Sequence, residues 1–426
     1  MSKKNKRIPE LRFPEFSENW EISSVSDICD VYRGGTFSKA DMDDNGSEPC
    51  IHYGELFTKY NEVISDIYSK TNKSEGFKSE VGDILMPSSD VTPDGLAKAS
   101  AIMLDNVVLG GDMNILRPKK SYNSIFLSYL LNHSKREIIK LVSGTTVKHI
   151  YPSQIITCQL PIVNNKSEQQ KIASCLSSLD DLIESHNQKL DLLKDHKKGL
   201  MQNLFPQEGE KVPKLRFKEF EKDGEWVKKS LIDTADKKVK WSFTGGPFGS
   251  NLKASDYTSE GIRIIQLQNI GDGEFIDEYK IYTSEEKADE LLSCNIYAEE
   301  IIISKMGDPV GRACIIPDYL ERCVMASDGI RLVVNEMKYS KYFVYYLINS
   351  KEIRETIEKK STGSTRKRIG LDELRNIDLV MPKSLAEQQK IASCLSSLDE
   401  LITAQAEKIE QLKLHKKGLM QGLFPK

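Results

Sequence analysis

Two stretches of the chain alternate hydrophobic and polar residues with the period of a long α-helix. In the first, apolar side chains recur at alternating steps of four and three once His186 and Lys197 are counted: Ile172, Leu176, Leu179, Ile183, Leu190, Leu193, Leu200 and Leu204. The second, counted with Gln405 and Lys416, has Ile391, Leu395, Leu398, Ile402, Ile409, Leu412, Leu419 and Leu423. This 3.5-residue period predicts coiled-coil helices. Each helix, of about 37 residues, would be roughly 55 Å long.

Both helices belong to an internal repeat that divides the chain into halves. The repeated segments are PELRF (9–13) with PKLRF (213–217), SGTTVKHI (143–150) with TGSTRKRI (362–369), EQQKIASCLSSLD (168–180 and 387–399) and HKKGLMQ (196–202 and 415–421). The period is too long for a solenoid, so it indicates a tandem duplication of a whole domain with its connector. The predicted layout is a variable block at 1–160, a helix at 161–206, a variable block at 207–382 and a helix at 383–426.

The near-identity of the two helices favours pairing within one chain. Two copies related by a pseudo-two-fold axis would pack their helices antiparallel, and a coiled-coil dimer with another molecule is the alternative. The polar seam residues could fix the register at a cost in stability. Alternatively, Lys197 and Lys416 extend their ammonium groups to solvent.

The variable blocks contain short strand-like runs between turn residues, at 48–54, 83–87, 262–270 and 300–304. A helix is predicted to close each block, at 124–141 and 339–359. The sequence therefore predicts an α+β fold. Two tandem α/β domains are separated by two long helices that form an antiparallel intramolecular coiled coil.

Composition narrows the possible functions. Lys and Arg number 60 against 63 Asp and Glu, a net charge of −3, which argues against a polybasic binder of nucleic acid. No secretory signal and no long apolar segment is evident. The eight cysteines form no CxxC pair, so a cytoplasmic chain with reduced thiols is expected.

Motifs for chemistry are missing from the sequence. It contains no phosphate-binding GxxxxGK[ST] loop and no Asn or Asp followed by Pro-Pro, which is the signature of adenine methyltransferases. Pro93-Asp94 and Pro317-Asp318 could be read as the start of a nuclease motif, but turn residues explain them equally well. The histidines show no metal-binding spacing. We therefore expect no catalytic residues and no metal site.

The landmarks resemble the specificity subunits of type I restriction–modification systems. The resemblance rests on the duplicated EQQKIASCLSSLD helices, the closing KKGLMQ and LFP segments, the PxLRF openings followed by Trp, and the glycine turns at Gly34-Gly35 and 245–250. It covers essentially the whole chain. It implies that each variable block is a target recognition domain that reads one half of a bipartite DNA site. The helices would set the gap between half-sites and dock the methyltransferase subunits.

The resemblance also implies the partners. They are double-stranded DNA, two methyltransferase subunits that use S-adenosylmethionine to modify adenine at N6, and two motor-nuclease subunits that use ATP and magnesium. This chain would be a non-catalytic, DNA-binding specificity subunit without a cofactor of its own, acting in phage defence. The alternative is a coiled-coil scaffold with two protein-binding heads.

DNA binding requires Lys and Arg for phosphates and polar loop side chains for base edges. Residues 351–368 contain seven Lys or Arg against three Glu, and residues 132–149 contain four against one. Gln and Asn can pair with adenine and Arg with guanine. The candidates in the first block are Arg33, Lys98, Thr145, Thr146, Lys148 and His149. Those in the second are Gln266, Gln268, Asn269, Arg312, Ser364, Thr365, Arg366, Lys367 and Arg368. The alternative for the loop residues is a solvated basic surface.

Overall fold

The computed structural model describes residues 8–364 and 366–425. These residues form two compact units: unit 1 comprises 8–188 with 406–425, and unit 2 comprises the described part of 189–405. Each unit thus contains one variable block and a part of each long helix. Within the described residues, no helix is both long and apolar enough to cross a membrane.

Unit 1 is built on two sheets. Its strands are β1 (Glu21–Ser24), β2 (Cys29–Arg33), β3 (Glu48–Ile51), β4 (Val63–Ile64), β5 (Ser69–Thr71), β6 (Phe77–Lys78), β7 (Ile84–Pro87), β8 (Ser89–Asp90), β9 (Ser100–Ile102), β10 (Val108–Leu109), β11 (Met113–Pro118), β12 (Lys148–His149) and β13 (Gln159–Ile162). One sheet has the order β2-β11-β7-β9-β4 and the other β5-β3-β10-β6, and two short pairs, β1-β13 and β8-β12, complete the set.

The helices of unit 1 include a break that the sequence did not predict. They are α1 (Val25–Ile28), α2 (Glu55–Thr58), α3 (Pro93–Leu96), α4 (Ser124–His133), α5 (Lys135–Ile139), α6 (Pro152–Ile155) and α7 (Lys166–Leu204), of which the last continues into unit 2. The helix predicted at 124–141 is divided at Ser134. The first long helix is confirmed.

Unit 2 repeats the two-sheet plan. Its strands are β14 (Val227–Ser230), β15 (Phe243–Gly245), β16 (Tyr257–Thr258), β17 (Ile262–Ile265), β18 (Ile281–Thr283), β19 (Asn295–Tyr297), β20 (Ile301–Ser304), β21 (Met306–Gly307), β22 (Ala313–Ile315), β23 (Arg322–Met325), β24 (Gly329–Leu332), β25 (Lys367–Arg368) and β26 (Asp378–Met381). The sheets have the orders β16-β18-β17-β23-β19 and β15-β24-β20-β22, with the short pairs β14-β26 and β21-β25.

The helices of unit 2 are α8 (Glu285–Glu290), α9 (Lys341–Ile348), α10 (Lys351–Lys360), α11 (Leu371–Arg375) and α12 (Leu385–Leu423). The strand predicted at 262–270 is shorter than expected, because the chain leaves the sheet after Ile265. There the backbone N–H of Gln266 donates to Oδ1 of Asn269 at 2.9 Å and the chain turns.

The two long helices pack together, as the heptad pattern predicted. In unit 1, Leu176 of α7 shares a buried cluster with Leu423 of α12. In unit 2, Leu204 of α7 shares one with Leu395 of α12. The seam lysines do not reach for solvent: Lys416 lies 2.6 Å from Asp180 and Lys197 lies 2.5 Å from Asp399.

The repeated PxLRF and EQQ motifs hold each variable block to a long helix. In unit 1, Arg12 binds the buried Glu168 through two hydrogen bonds of 2.8 and 2.7 Å. In unit 2, Arg216 binds Glu387 at 2.8 Å through both nitrogens. Bidentate pairs between a guanidinium and a carboxylate demand fixed geometry. This explains why these short motifs recur while their surroundings differ.

The next residue of the motif, a glutamine, ties the start of each long helix to the variable block. The side chain of Gln169 accepts from the backbone N–H of Asn123 at 2.8 Å and donates to the Val163 carbonyl at 2.7 Å. Gln388 makes the matching bonds, with the Ser340 N–H at 3.0 Å and the Pro382 carbonyl at 3.1 Å. Residues 123 and 340 cap α4 and α9, so each recurring glutamine bridges two helices and a strand end.

Candidate nucleic-acid interface

Each unit carries the same short hairpin at the position of its Gly-Thr/Ser segment. In hairpin 1, residues 143–149, the backbones of Ser143 and His149 bond each other at 2.9 and 2.8 Å. Gly144 has φ of +99°, and a Cβ there would lie 2.2 Å from the Val147 carbonyl oxygen. Only glycine fits this turn. Thr145 and Thr146 are left exposed at the tip.

The charged residues of hairpin 1 brace its own backbone. Lys148 donates from Nζ to the carbonyls of Gly144 and Thr145 at 2.8 and 2.9 Å. The imidazole of His149 stacks on the ring of Tyr151, with centroids 5.9 Å apart. Because β12 pairs with β8, the hairpin is anchored to the fold at its base.

Hairpin 2, residues 362–368, repeats this geometry with more positive charge. The backbones of Thr362 and Arg368 bond at 2.9 and 2.8 Å, and Gly363 has φ of +103°. Ser364 and Arg366 are exposed, whereas Thr365 lies outside the described residues. Hairpin 2 is anchored by the pairing of β25 with β21.

Two of the predicted cations of hairpin 2 already have protein partners. Lys367 forms an ion pair with Glu358, and this pairing holds the pKa of the Glu358 carboxyl below its usual value. Arg368 lies 3.0 Å from Asp328, although half of its side chain remains exposed. Arg366 is therefore the most accessible cation of hairpin 2, with Arg368 held ready beside it.

One cleft in unit 2 gathers four of the predicted residues. It has a volume of about 950 Å³, and Gln266, Gln268, Arg312 and Arg366 all line it. Nε of Arg312 is buried and has no acceptor among the described residues. Carboxylates also line the cleft, so it is a mixed polar surface that can donate and accept hydrogen bonds.

Asn269 does not belong to this surface. Its side chain is fully buried, and its amide donates to the carbonyls of Ile276 and Tyr279 at 2.8 and 3.0 Å. Its oxygen caps the turn at Gln266. Every polar group of this side chain is used by the fold, which corrects the expectation that Asn269 is available to a base.

The remaining candidates of unit 1 differ in accessibility. Arg33 stands at the end of β2 with 56% of its side chain exposed, and its nearest acid is Asp112 at 3.5 Å. Lys98 is turned inward, donating to the Tyr60 carbonyl at 2.5 Å. Burial lowers the pKa of Lys98. Lys98 is thus tied to the fold, while Arg33 can reach a ligand.

Two features of these surfaces escaped sequence reasoning. Phe248 is 82% exposed and lines the cleft, on the glycine-rich turn that the sequence had identified only as a landmark. Gly246, in the same turn, has no room for a Cβ, which would lie 1.9 Å from the Ala326 carbonyl oxygen; Gly34 is equally constrained by Gly110. An exposed aromatic between Pro and Gly was the available signal. Within the described residues, no group of acids, histidines or cysteines is placed to hold a metal ion.

Comparison with known proteins gives one consistent family. A family model described as "Type I restriction modification DNA specificity domain" matches residues 17–195 and 251–414. The chain is 24% identical over 430 residues to the type I restriction enzyme MjaVIII specificity subunit of Methanocaldococcus jannaschii, covering 98% of this chain and 94% of that protein.

Solved structures share the fold. The S subunit of a type I restriction–modification system from M. genitalium matches with a TM-score of 0.61 at 18% identity, covering 98% of this chain and 99% of that one. A structure described as the basis of complex assembly and conformational transition of the type I R-M system matches with a TM-score of 0.56 at 13% identity, covering 95% and 97%.

Proposed function

Because the chain belongs to the family of type I restriction–modification DNA specificity subunits, we propose that each unit reads one half of a bipartite DNA site through its hairpin. The chain is a DNA-recognition subunit and not an enzyme, as the names of its relatives denote. The family match does not favour the alternative of a scaffold with protein-binding heads.

The observation that carries this proposal is a single hairpin built twice with different exposed side chains. Hairpin 1 presents threonines and hairpin 2 presents Ser364 and Arg366 on the same backbone geometry. A rigid frame with exchangeable polar tips suits a reader of base sequence, because phosphate contacts orient a protein and side chains at base edges supply the sequence information.

In unit 2 the cleft supplies base contacts. Gln268 is exposed, and an amide can pair with two atoms of adenine. Arg312 carries an unpaired Nε–H, and guanine offers O6 and N7 as acceptors. Phe248 adds an apolar surface for a thymine methyl group or for a base. Gln266, at the edge of the same cleft, completes the set.

The family defines the partners at a coarse level: a specificity subunit assembles with methyltransferase subunits, restriction subunits and DNA. We propose two copies of each protein partner, since the EQQKIASCLSSLD helix is present twice. The partners would bind S-adenosylmethionine, ATP and magnesium, and adenine N6 would be the methylated atom. The complex would act in the cytoplasm, where cellular DNA is accessible.

Removal of accessible positive charge from hairpin 2 tests the DNA interface. The variant R366A/R368A, assembled with methyltransferase subunits, should bind its DNA about tenfold more weakly at physiological salt. The slope of log affinity against log salt should fall by about 1 for each phosphate that is no longer bound. The control K228A/K229A removes two exposed lysines from β14 and should leave both quantities unchanged. An unchanged salt slope for R366A/R368A would contradict the assignment.

The base contacts need a different readout. R312A should relax the methylated motif at one G·C position, with a loss of discrimination of about 1–3 kcal/mol and an unchanged salt slope. Sequencing of DNA methylated by the assembled complex gives the motif directly. A motif that keeps full discrimination at every position would remove Arg312 from the base-reading set.

A further inference from the structure

Both units contain the same cluster of a lysine, an aspartate and a tyrosine, drawn from three helices. In unit 1, Nζ of Lys416 lies 2.6 Å from Asp180, and the Tyr129 hydroxyl donates to Asp180 at 2.5 Å. The lysine comes from α12, the aspartate from α7 and the tyrosine from α4. This cluster also includes Glu62, whose carboxylate lies 2.9 Å from the same ammonium.

In unit 2 the long helices exchange roles. Lys197 of α7 lies 2.5 Å from Asp399 of α12, and the hydroxyl of Tyr346 on α9 donates to Asp399 at 2.7 Å. In both units the ammonium also lies over the tyrosine ring, 5.4 Å from its centroid in unit 1 and 5.6 Å in unit 2. Two independent copies of the same three contacts argue against a chance surface pairing.

The clusters are well shielded from water, so their partners matter. The side chains of Lys416 and Asp180 are 15% and 20% exposed, and Tyr129 and Tyr346 are buried. Burial raises the pKa of both tyrosines, which therefore remain O–H donors. A shielded ammonium that lost its carboxylate would be an uncompensated charge in the helix seam.

Apolar packing alone does not choose this register. A slip of one heptad brings apolar seam positions back onto apolar seam positions, and only a polar residue in the seam tells the registers apart. The positions one heptad from Asp180 and Asp399 are Ala173, Asn187, Ala392 and Ala406. None of these carries a negative charge, so a slipped pair would leave both lysines without their carboxylates.

The tyrosines extend the clusters into the variable blocks. Tyr129 belongs to the core that includes Ile84 and Phe126, and Tyr346 to the core that includes Ile301 and Phe343. The aspartate that fixes the helix register therefore also binds a helix of the recognition domain. A change of register would break both interactions together.

We propose that the two Lys–Asp–Tyr clusters are positioning devices that fix the register of the long helices and hold each recognition domain at that register. Through this, they determine which gap between half-sites the protein accepts. The proposal rests on the DNA-reading role of the two units. It assigns a specificity role to residues that are distant in sequence from the hairpins.

Unit 2 offers the cleaner test, because within the described residues its lysine pairs with the aspartate alone. Lys197→Asp places two carboxylates together, and Asp399→Lys places two ammonium groups together. The exchange K197D/D399K restores an opposite-charge pair at the same net charge. Tyr346→Phe removes only the hydroxyl. Lys189→Asp, at an exposed position of α7, is the control for a charge change on the same helix.

The readout is the gap preference of methylation. The motif is first read from DNA methylated by the complex with unaltered specificity subunit. Duplexes are then prepared with the native gap and with a gap one base pair longer or shorter. K197D and D399K should lower the preference for the native gap about fivefold or more, and the exchange should restore it to within about twofold. Y346F should give a smaller loss, and K189D none.

The outcomes separate positioning from plain stability. If K197D melts at a lower temperature but keeps its full gap preference, the clusters are structural only and the proposal is overturned. If the single variants do not fold, a folded exchange variant without the native gap preference overturns it, and one that regains the preference supports it. Failure of the hairpin assignment would appear elsewhere, as an unchanged salt slope in R366A/R368A.

Discussion

Unit 1 and unit 2 use the same attachments but surround them with different residues. In both, an arginine from the PxLRF motif grips a buried glutamate at the start of a long helix. The tryptophan that follows the motif behaves differently: the Trp226 indole donates to Glu387 at 3.1 Å, whereas the buried Trp20 indole has no acceptor among the described residues. Repeated residues thus fix the frame, and variable residues retune its strength.

The same contrast holds at the clusters and at the surfaces. The unit 1 cluster includes Glu62, while the Tyr346 hydroxyl of unit 2 lies 3.2 Å from Ser396 instead. Hairpin 2 displays Arg366 where hairpin 1 displays Val147. The lesson is that duplication preserved the contacts that join domain to helix and released the rest for recognition.

The largest expected difference follows from removal of the buried glutamates. Glu387→Ala leaves Arg216 and Trp226 without their acceptor and should lower the free energy of unfolding of unit 2 by about 3–5 kcal/mol. Glu168→Ala strands only Arg12 in unit 1 and should cost about 1 kcal/mol less. Hydrogen exchange measured on peptides of each unit during urea titration reports both values.

The control for this pair is Glu225→Ala, which removes an exposed carboxylate paired with Lys211 and should change stability by less than about 0.5 kcal/mol. Equal losses from the two buried glutamates would mean that the Trp226 bond contributes nothing, and the contrast between the units would shrink to their surfaces.

An intermediate effect is expected from the tryptophans. Trp226→Phe removes a hydrogen bond to a carboxylate and should destabilise unit 2 by about 1.5–3 kcal/mol. Trp20→Phe removes a buried donor without an acceptor, so the smaller ring area is offset and the net change should be near zero. Thermal unfolding of both variants tests this, and a larger destabilisation from Trp20→Phe would reverse the comparison.

The smallest effect concerns pH. His133 of unit 1 packs on the Phe424 ring with centroids 5.3 Å apart, and burial lowers the pKa of His133. The folded unit therefore prefers the neutral imidazole, and this contribution to stability is present above pH 6.5 and lost as the pH falls below it. Asn132, just before it, matches Asn349 of unit 2, which is followed by Ser350.

Unit 1 should consequently lose protection from hydrogen exchange between pH 7.5 and 5.5 more than unit 2 does. His133→Ser, which copies the residue of unit 2, should abolish that difference. If the variant stays as sensitive to acid as the parent, another group in unit 1 is responsible, and His52, whose pKa is also lowered by burial, is the next to change.

Local pattern was enough to predict the long helices, since the heptads and the stop signals at Pro206 and Pro425 lie in the sequence itself. The sheets were beyond such reasoning. For example, β17 pairs in parallel with β23, which is distant in sequence, and no local signal selects that partner. The break at Ser134 likewise depends on packing that the periodicity does not report.

The candidate site shows the same limit. The hairpins could be located because glycine, threonine and basic residues cluster there. Asn269 and Gln268 are adjacent polar residues, yet one is fully buried and the other exposed. Their fates differ because the chain turns after Ile265, and the turn itself consumes the asparagine. Sequence pattern therefore identified the segment but not which of its side chains faces outward.

The far ends of the long helices have a consequence for how the protein is made. Phe424 lies in the core of unit 1 beside Trp20 and Phe126, with ring centroids 6.3 and 5.7 Å apart. Trp20 and Phe126 are synthesised early, whereas Phe424 follows only after the whole of unit 2 has been made. During translation unit 1 must wait, with part of its apolar interior uncovered, until the end of α12 has left the ribosome. A product truncated within unit 2 therefore lacks not only its last helix but also the final piece of its first domain.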